Sequence, residues 1–130
     1  MRALFPLRAI LGVALIVFGI EAGSASAQTA SADPQGYHQA YLYALRCVAA
    51  NSAAESRDDL NPGGRNKAIF DAAGQRAFDA VLKLGRLQGY DNARLNHDID
   101  ALGHAEIARM ASDDAYFQRT RSDCIKLGLN

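Results

Sequence analysis

The sequence predicts an all-α domain of four helices, closed by one disulfide and preceded by a cleaved signal peptide. Three observations carry this expectation. Apolar residues recur three and four apart over long stretches, the spacing of a single helix face, and no stretch alternates as a strand would. Residues that start and stop helices stand at the ends of those stretches. The chain also holds two cysteines, Cys47 and Cys124, far apart in sequence.

The first 27 residues set the expected compartment. Arg2 and Arg8 precede a run from Ala9 to Ile20 with no polar side chain, and Ala25-Ser26-Ala27 then offers a small-x-small cleavage site. That order is the pattern of a secretory signal peptide. The run is too short to span a bilayer, which takes about 20 apolar residues, so no membrane anchor is expected after cleavage. The alanine-rich site points to a bacterial periplasm, or more generally to secretion. In such an oxidising place a lone cysteine pair is expected to join. Cys-x-x-Cys, the usual redox-active spacing, is absent. Closing the Cys47–Cys124 loop removes about 4.5 kcal/mol of unfolded-chain entropy at most.

Residues 28–36 are small and polar with Pro34, and read as a disordered leader. The helical domain is expected over 37–130. Its first helix carries Tyr37, Tyr41, Ala44 and Val48 on one stripe, with Ala40, Leu45 and Cys47 beside it, and ends near Ala53. Leu42 and Tyr43 fall outside that stripe, apolar where water is expected, and are the candidate partner surface.

A loop dense in turn formers follows, and Asn61-Pro62 within it has the form of a helix cap. The second helix, Asn66 to Gln88, has the stripe Phe70, Ala73, Ala77, Val81, Leu84 and Leu87. Gly74 lies inside that stripe at a cost of about 1 kcal/mol relative to alanine, which suggests a backbone crossing close by. Gly89 reads as the stop. Asp91 can cap a third helix to about Ala111 with Leu95, Ile99, Leu102 and Met110 inward. Ser112-Asp113-Asp114 can cap a fourth with Phe117, Thr120, Cys124 and Leu127, closed by Gly128-Leu129. Short connections after the second and third helices favour antiparallel neighbours.

Several function classes find no support. The chain has 14 basic and 14 acidic residues, and losing Arg2, Arg8 and Glu21 with the signal shifts it to about −1, without the cationic excess that nucleic-acid binding needs. No serine elbow, His-Glu-x-x-His, phosphate-cradling glycine loop or haem-attachment motif is present, so neither enzymatic activity nor a cofactor is expected. His97, Asp100 and His104 share one side of the third helix. Imidazoles with a carboxylate are plausible metal ligands, although the solvated face and the two-turn gap between the histidines favour an ordinary Asp100–His104 pair.

The plan of signal peptide, small helical domain and one disulfide is similar to that of periplasmic acid-stress chaperones. It also resembles that of immunity proteins that neutralise peptidoglycan-degrading toxins. The likeness is one of architecture, without a shared motif. The expectation is a secreted, non-catalytic helical protein that binds a protein partner, chaperone-like or inhibitor-like, with a metal- or small-molecule-binding module on the histidine face as the alternative.

Overall fold

The computed structural model describes residues 33–130, and the expected signal peptide with the first residues of the leader lies outside them. Four helices follow: α1 (Pro34–Glu55), α2 (Lys67–Leu87), α3 (Asn92–Ser112) and α4 (Asp114–Lys126). No strand occurs among the described residues, and no helix there is long and apolar enough to cross a membrane.

Helix α1 begins at Pro34, so the last three residues of the expected leader are helical instead. The physical reason was present in the residue types. Proline at the first helical position supplies its fixed φ and lacks an N–H that would be orphaned there, and Asp33 before it is of the N-cap type.

Helix α1 is the centre of the fold and packs against all three others, most extensively against α2, whereas α2 and α3 meet only marginally. The short α2–α3 connection therefore does not make a packed pair of those helices; both lean on α1. Being surrounded, α1 is buried on more than one side: Tyr41, Ala44, Leu45, Cys47, Ala49, Ala50, Asn51 and Ala54 are all buried. A helix enclosed by neighbours carries small and apolar residues around much of its girth rather than on one stripe. Ala49, Ala50 and Ala54 of α1 share a core cluster with Ala77 of α2, and Ala73 is buried one turn before it; such small residues let helices approach closely.

Two clusters share the core. One gathers Tyr41, Ala44, Leu45, Val81 and Leu95; the other gathers residues around the disulfide, with Phe70, Ala77, Met110 and Phe117. Val48 and Leu129 pack against both. Each large apolar side chain so buried contributes roughly 1.5–3 kcal/mol. Cys47 and Cys124 are joined, with Cα atoms 5.6 Å apart, tying α1 to α4.

The ends of the helices follow the residue types. Asp91 Oδ1 accepts from Arg94 N at 2.8 Å and Asp113 Oδ1 from Tyr116 N at 2.9 Å. Gly89 (φ 78°) and Gly128 (φ 71°) stop α2 and α4. Tyr90 N donates to Gly85 O and Leu129 N to Cys124 O, the six-to-one bonds of a glycine C-cap. Asn61 does not cap a long helix. It starts a three-residue 3₁₀ turn, Pro62–Gly64, without a side-chain cap bond. Its amide instead bridges Glu55 O at 2.8 Å and Asn66 N at 2.7 Å, locking the loop.

The glycine that admits a close neighbour is Gly85 rather than Gly74. A Cβ at Gly85 would lie 2.3 Å from Leu95 Cδ2 and 3.2 Å from Tyr41 Cε2, whereas one at Gly74 would meet only Asn51 Cβ at 3.8 Å. Leu87, Leu102 and Leu127, expected inward, are 55%, 39% and 55% exposed. On α3 the buried face runs through Leu95, Asp98, Gly103 and Met110. A polar and a small residue hold two inner positions, and counting apolar residues alone shifts the phase onto Leu102.

Candidate functional site

The fold creates a groove where α1 crosses α4 above the disulfide. Its residues come from two helical rows: Tyr43, Arg46 and Cys47 on α1, and Tyr116, Arg119, Thr120, Asp123 and Cys124 on α4. Spacings of three and four place each row on one helix face, and the disulfide holds the two faces together. The cavity measures 160 Å³. A second concavity continues past it, walled by Tyr43, Asp123, Lys126 and Leu127. Tyr43 belongs to both and is 43% exposed.

A polar chain positions the groove. Tyr116 donates its hydroxyl to Glu106 Oε2 on α3, and Arg46 Nε lies 3.7 Å from Glu106 Oε1. The Arg46 guanidinium carbon sits 5.3 Å from the Tyr43 ring centre, and that of Arg109 sits 3.7 Å from the Tyr116 ring centre, both within cation–π range. Burial, and then the Glu106 carboxylate, hold the Tyr116 phenol above its ordinary pKa, so it stays protonated and donates. Asp123 is 3.6 Å from Lys126. Arg119 is exposed and makes no ion pair or hydrogen bond with any described residue. The groove can therefore offer guanidinium donors to an incoming acceptor between two phenol rings.

Of the two residues expected to form the partner surface, Tyr43 is on this groove. Leu42 is not a free surface residue: it is half-buried and packs against the Tyr41–Leu45 cluster, because α1 has neighbours on the side where a single-stripe helix would meet water.

The third helix presents His97, Asp100 and His104 to solvent. His104 Nδ1 turns back to Asp100 O at 2.7 Å and lies 3.7 Å from Asp100 Oδ1, with the two side chains 79% and 82% exposed. His97 makes no contact with either. Seven residues at about 1.5 Å of rise each set the histidines roughly two turns apart. Among the described residues no group of three His, Cys, Asp or Glu side chains could hold a metal ion.

A buried cluster that periodicity does not announce joins α1 to α3. Tyr41, fully buried, donates to Asp98 Oδ2 at 2.9 Å, and Arg94 Nε donates to the same oxygen at 2.8 Å. Burial, followed by the Asp98 carboxylate, raises the Tyr41 pKa far above its ordinary value. Tyr90 meets Tyr41 edge-on at 5.3 Å, and its hydroxyl lies 3.3 Å from His38 Nδ1. His38 also lies 3.3 Å from Gln88 Oε1, so it ties the start of α1 to the α2–α3 turn. One signal was readable: a tyrosine on a buried stripe needs a partner for its hydroxyl, and Asp98 sits one turn from Leu95.

A small four-helix domain with a disulfide-floored groove is thus the class that fold and site define. No protein-family model, curated protein or solved structure matches the chain.

Proposed function

We propose that this protein is a non-catalytic extracytoplasmic binding protein that docks a protein partner on the α1–α4 face centred on Tyr43. The observation that carries the proposal is Tyr43 itself, a large exposed ring shared by two adjoining concavities. Tyrosine and arginine are the residues most often found as binding hot spots, and such anchors work in pockets from which water is excluded. The disulfide and the signal-type N-terminal sequence support an oxidising compartment.

The test is Tyr43→Glu in the mature protein. The circular dichroism spectrum and melting temperature stay as in the wild type, because the side chain is exposed, and partner capture from periplasmic extract is lost. An unchanged set of captured proteins contradicts the proposal. A single captured species indicates an inhibitor or immunity role, and suppression of aggregation of unrelated clients indicates a chaperone.

A further inference from the structure

We infer that the 160 Å³ cavity between α1 and α4 is a carboxylate pocket that receives an aspartate or glutamate side chain of the partner; the inference rests on the docking face proposed above. The size is the first reason. Sites for drug-sized ligands run to about 300–1,000 Å³, so this cavity suits one side chain.

Charge is the second reason. The lining contains Arg46 and Arg119 against one acid, Asp123, which already faces Lys126 at 3.6 Å. Glu106 behind the wall is occupied by the Tyr116 hydroxyl and by Arg46 Nε. The Nη atoms of Arg46 and the whole guanidinium of Arg119 remain without an acceptor among the described residues. Arg57, by contrast, is bonded to both Asp59 and Asp114, and Arg94 to Asp98; Arg65, Arg86, Arg109 and Arg121 also make no ion pair among the described residues, but none of them lines this cavity.

Geometry is the third. A planar guanidinium presents paired donors that match the two oxygens of a carboxylate. The Tyr43 ring under Arg46 holds that fork in place, and Tyr43 and Tyr116 both line the cavity beside it. Thr120, 8% exposed, closes the floor beside the disulfide.

The experiment is a nuclear magnetic resonance titration of the mature protein with propionate, the minimal analogue of an acidic side chain, at constant ionic strength. Arginine Nε–H signals of Arg46 and Arg119 and ring signals of Tyr43 shift saturably, and those of His97 do not. Arg119→Gln weakens propionate binding about fivefold, the scale of one exposed ion pair. Shifts that fail to saturate, an unchanged affinity in Arg119→Gln, or equal binding of sulfate overturn the inference. Tighter binding of N-acetylalanine than of propionate overturns the side-chain assignment in favour of a chain-terminal carboxylate. The two proposals separate cleanly. Loss of capture in Tyr43→Glu without saturable propionate binding leaves the docking face and removes the pocket. Propionate binding that Arg119→Gln weakens, with capture unchanged in Tyr43→Glu, leaves the pocket and removes the docking face.

Discussion

The same three residue types, tyrosine, carboxylate and arginine, meet twice in this molecule with opposite outcomes. Between α1 and α3, Tyr41, Asp98 and Arg94 form a closed cluster: the phenol is fully buried, and one carboxylate oxygen accepts from both partners. Between α1, α3 and α4, Tyr116, Glu106 and Arg46 form an open cluster. Glu106 is 18% and Arg46 37% exposed, the contact between them is loose at 3.7 Å, and the groove lies beside it. The closed cluster fixes how helices sit, since its buried phenol and carboxylate satisfy each other, with the half-exposed Arg94 side chain capping them from outside. An open one keeps donors for something else. Function is therefore better sought where the bonding is incomplete than where it is perfect.

The comparison can be broken by mutation. The largest effect is expected at the staple that holds the open groove in shape. Replacing Cys47 and Cys124 by alanine lowers unfolding free energy by about 3–4.5 kcal/mol, measured by denaturant titration, and removes propionate binding at the groove with it. In the closed cluster, Tyr41→Phe leaves the buried Asp98 with one donor fewer and costs about 1–3 kcal/mol. Tyr116→Phe in the open cluster costs less, under about 1.5 kcal/mol, because water and Arg46 can replace the lost donor. Equal costs would erase the distinction between the clusters.

Alkaline stability sharpens the same contrast. Burial and a neighbouring carboxylate raise both Tyr41 and Tyr116 above the ordinary phenol value. Their contribution is fully present below about pH 10, where the unfolded phenols titrate. It declines as pH rises from there towards the folded pKa values, by up to about 1.4 kcal/mol per pH unit for each tyrosine still protonated in the fold. Denaturation between pH 9 and 11 is expected to show this decline in the wild type. Tyr41→Phe flattens it more than Tyr116→Phe, since Tyr41 is the more deeply buried.

Two glycines give effects of opposite sign, the one at Gly74 being the smallest. Gly85→Ala forces a methyl group to 2.3 Å from Leu95 Cδ2 beside the closed cluster and destabilises by about 1–3 kcal/mol. Gly74→Ala meets only ordinary contact with Asn51, and the better helix former stabilises by up to about 1 kcal/mol. Thermal melts of the two variants move in opposite directions.

These contrasts also explain what could be read from the chain alone. Caps at Asp91 and Asp113, stops at Gly89 and Gly128, and the cysteine pair are local or compartmental signals, and the fold uses them as the residues suggest. Contacts that depend on the arrangement of distant helices were not legible. A single apolar stripe could not reveal that α1 has three neighbours, so Leu42 reads as outward although it is packed. Asp98 and Gly103 occupy inner positions that no hydrophobic pattern marks. Tyr43 was visible as an apolar residue out of phase, but the groove around it was not. Its other wall, with Arg119 and Asp123, lies far along the chain on α4.

The most direct measurement is site-specific photo-cross-linking in cells that make the protein, with a benzophenone amino acid placed at Tyr43 on the groove or at His97 on the outer face of α3. A cross-linked product from position 43 and none from position 97 is the expected result. Equal products from both positions, or products from 97 alone, would contradict the assignment of the α1–α4 groove as the partner face.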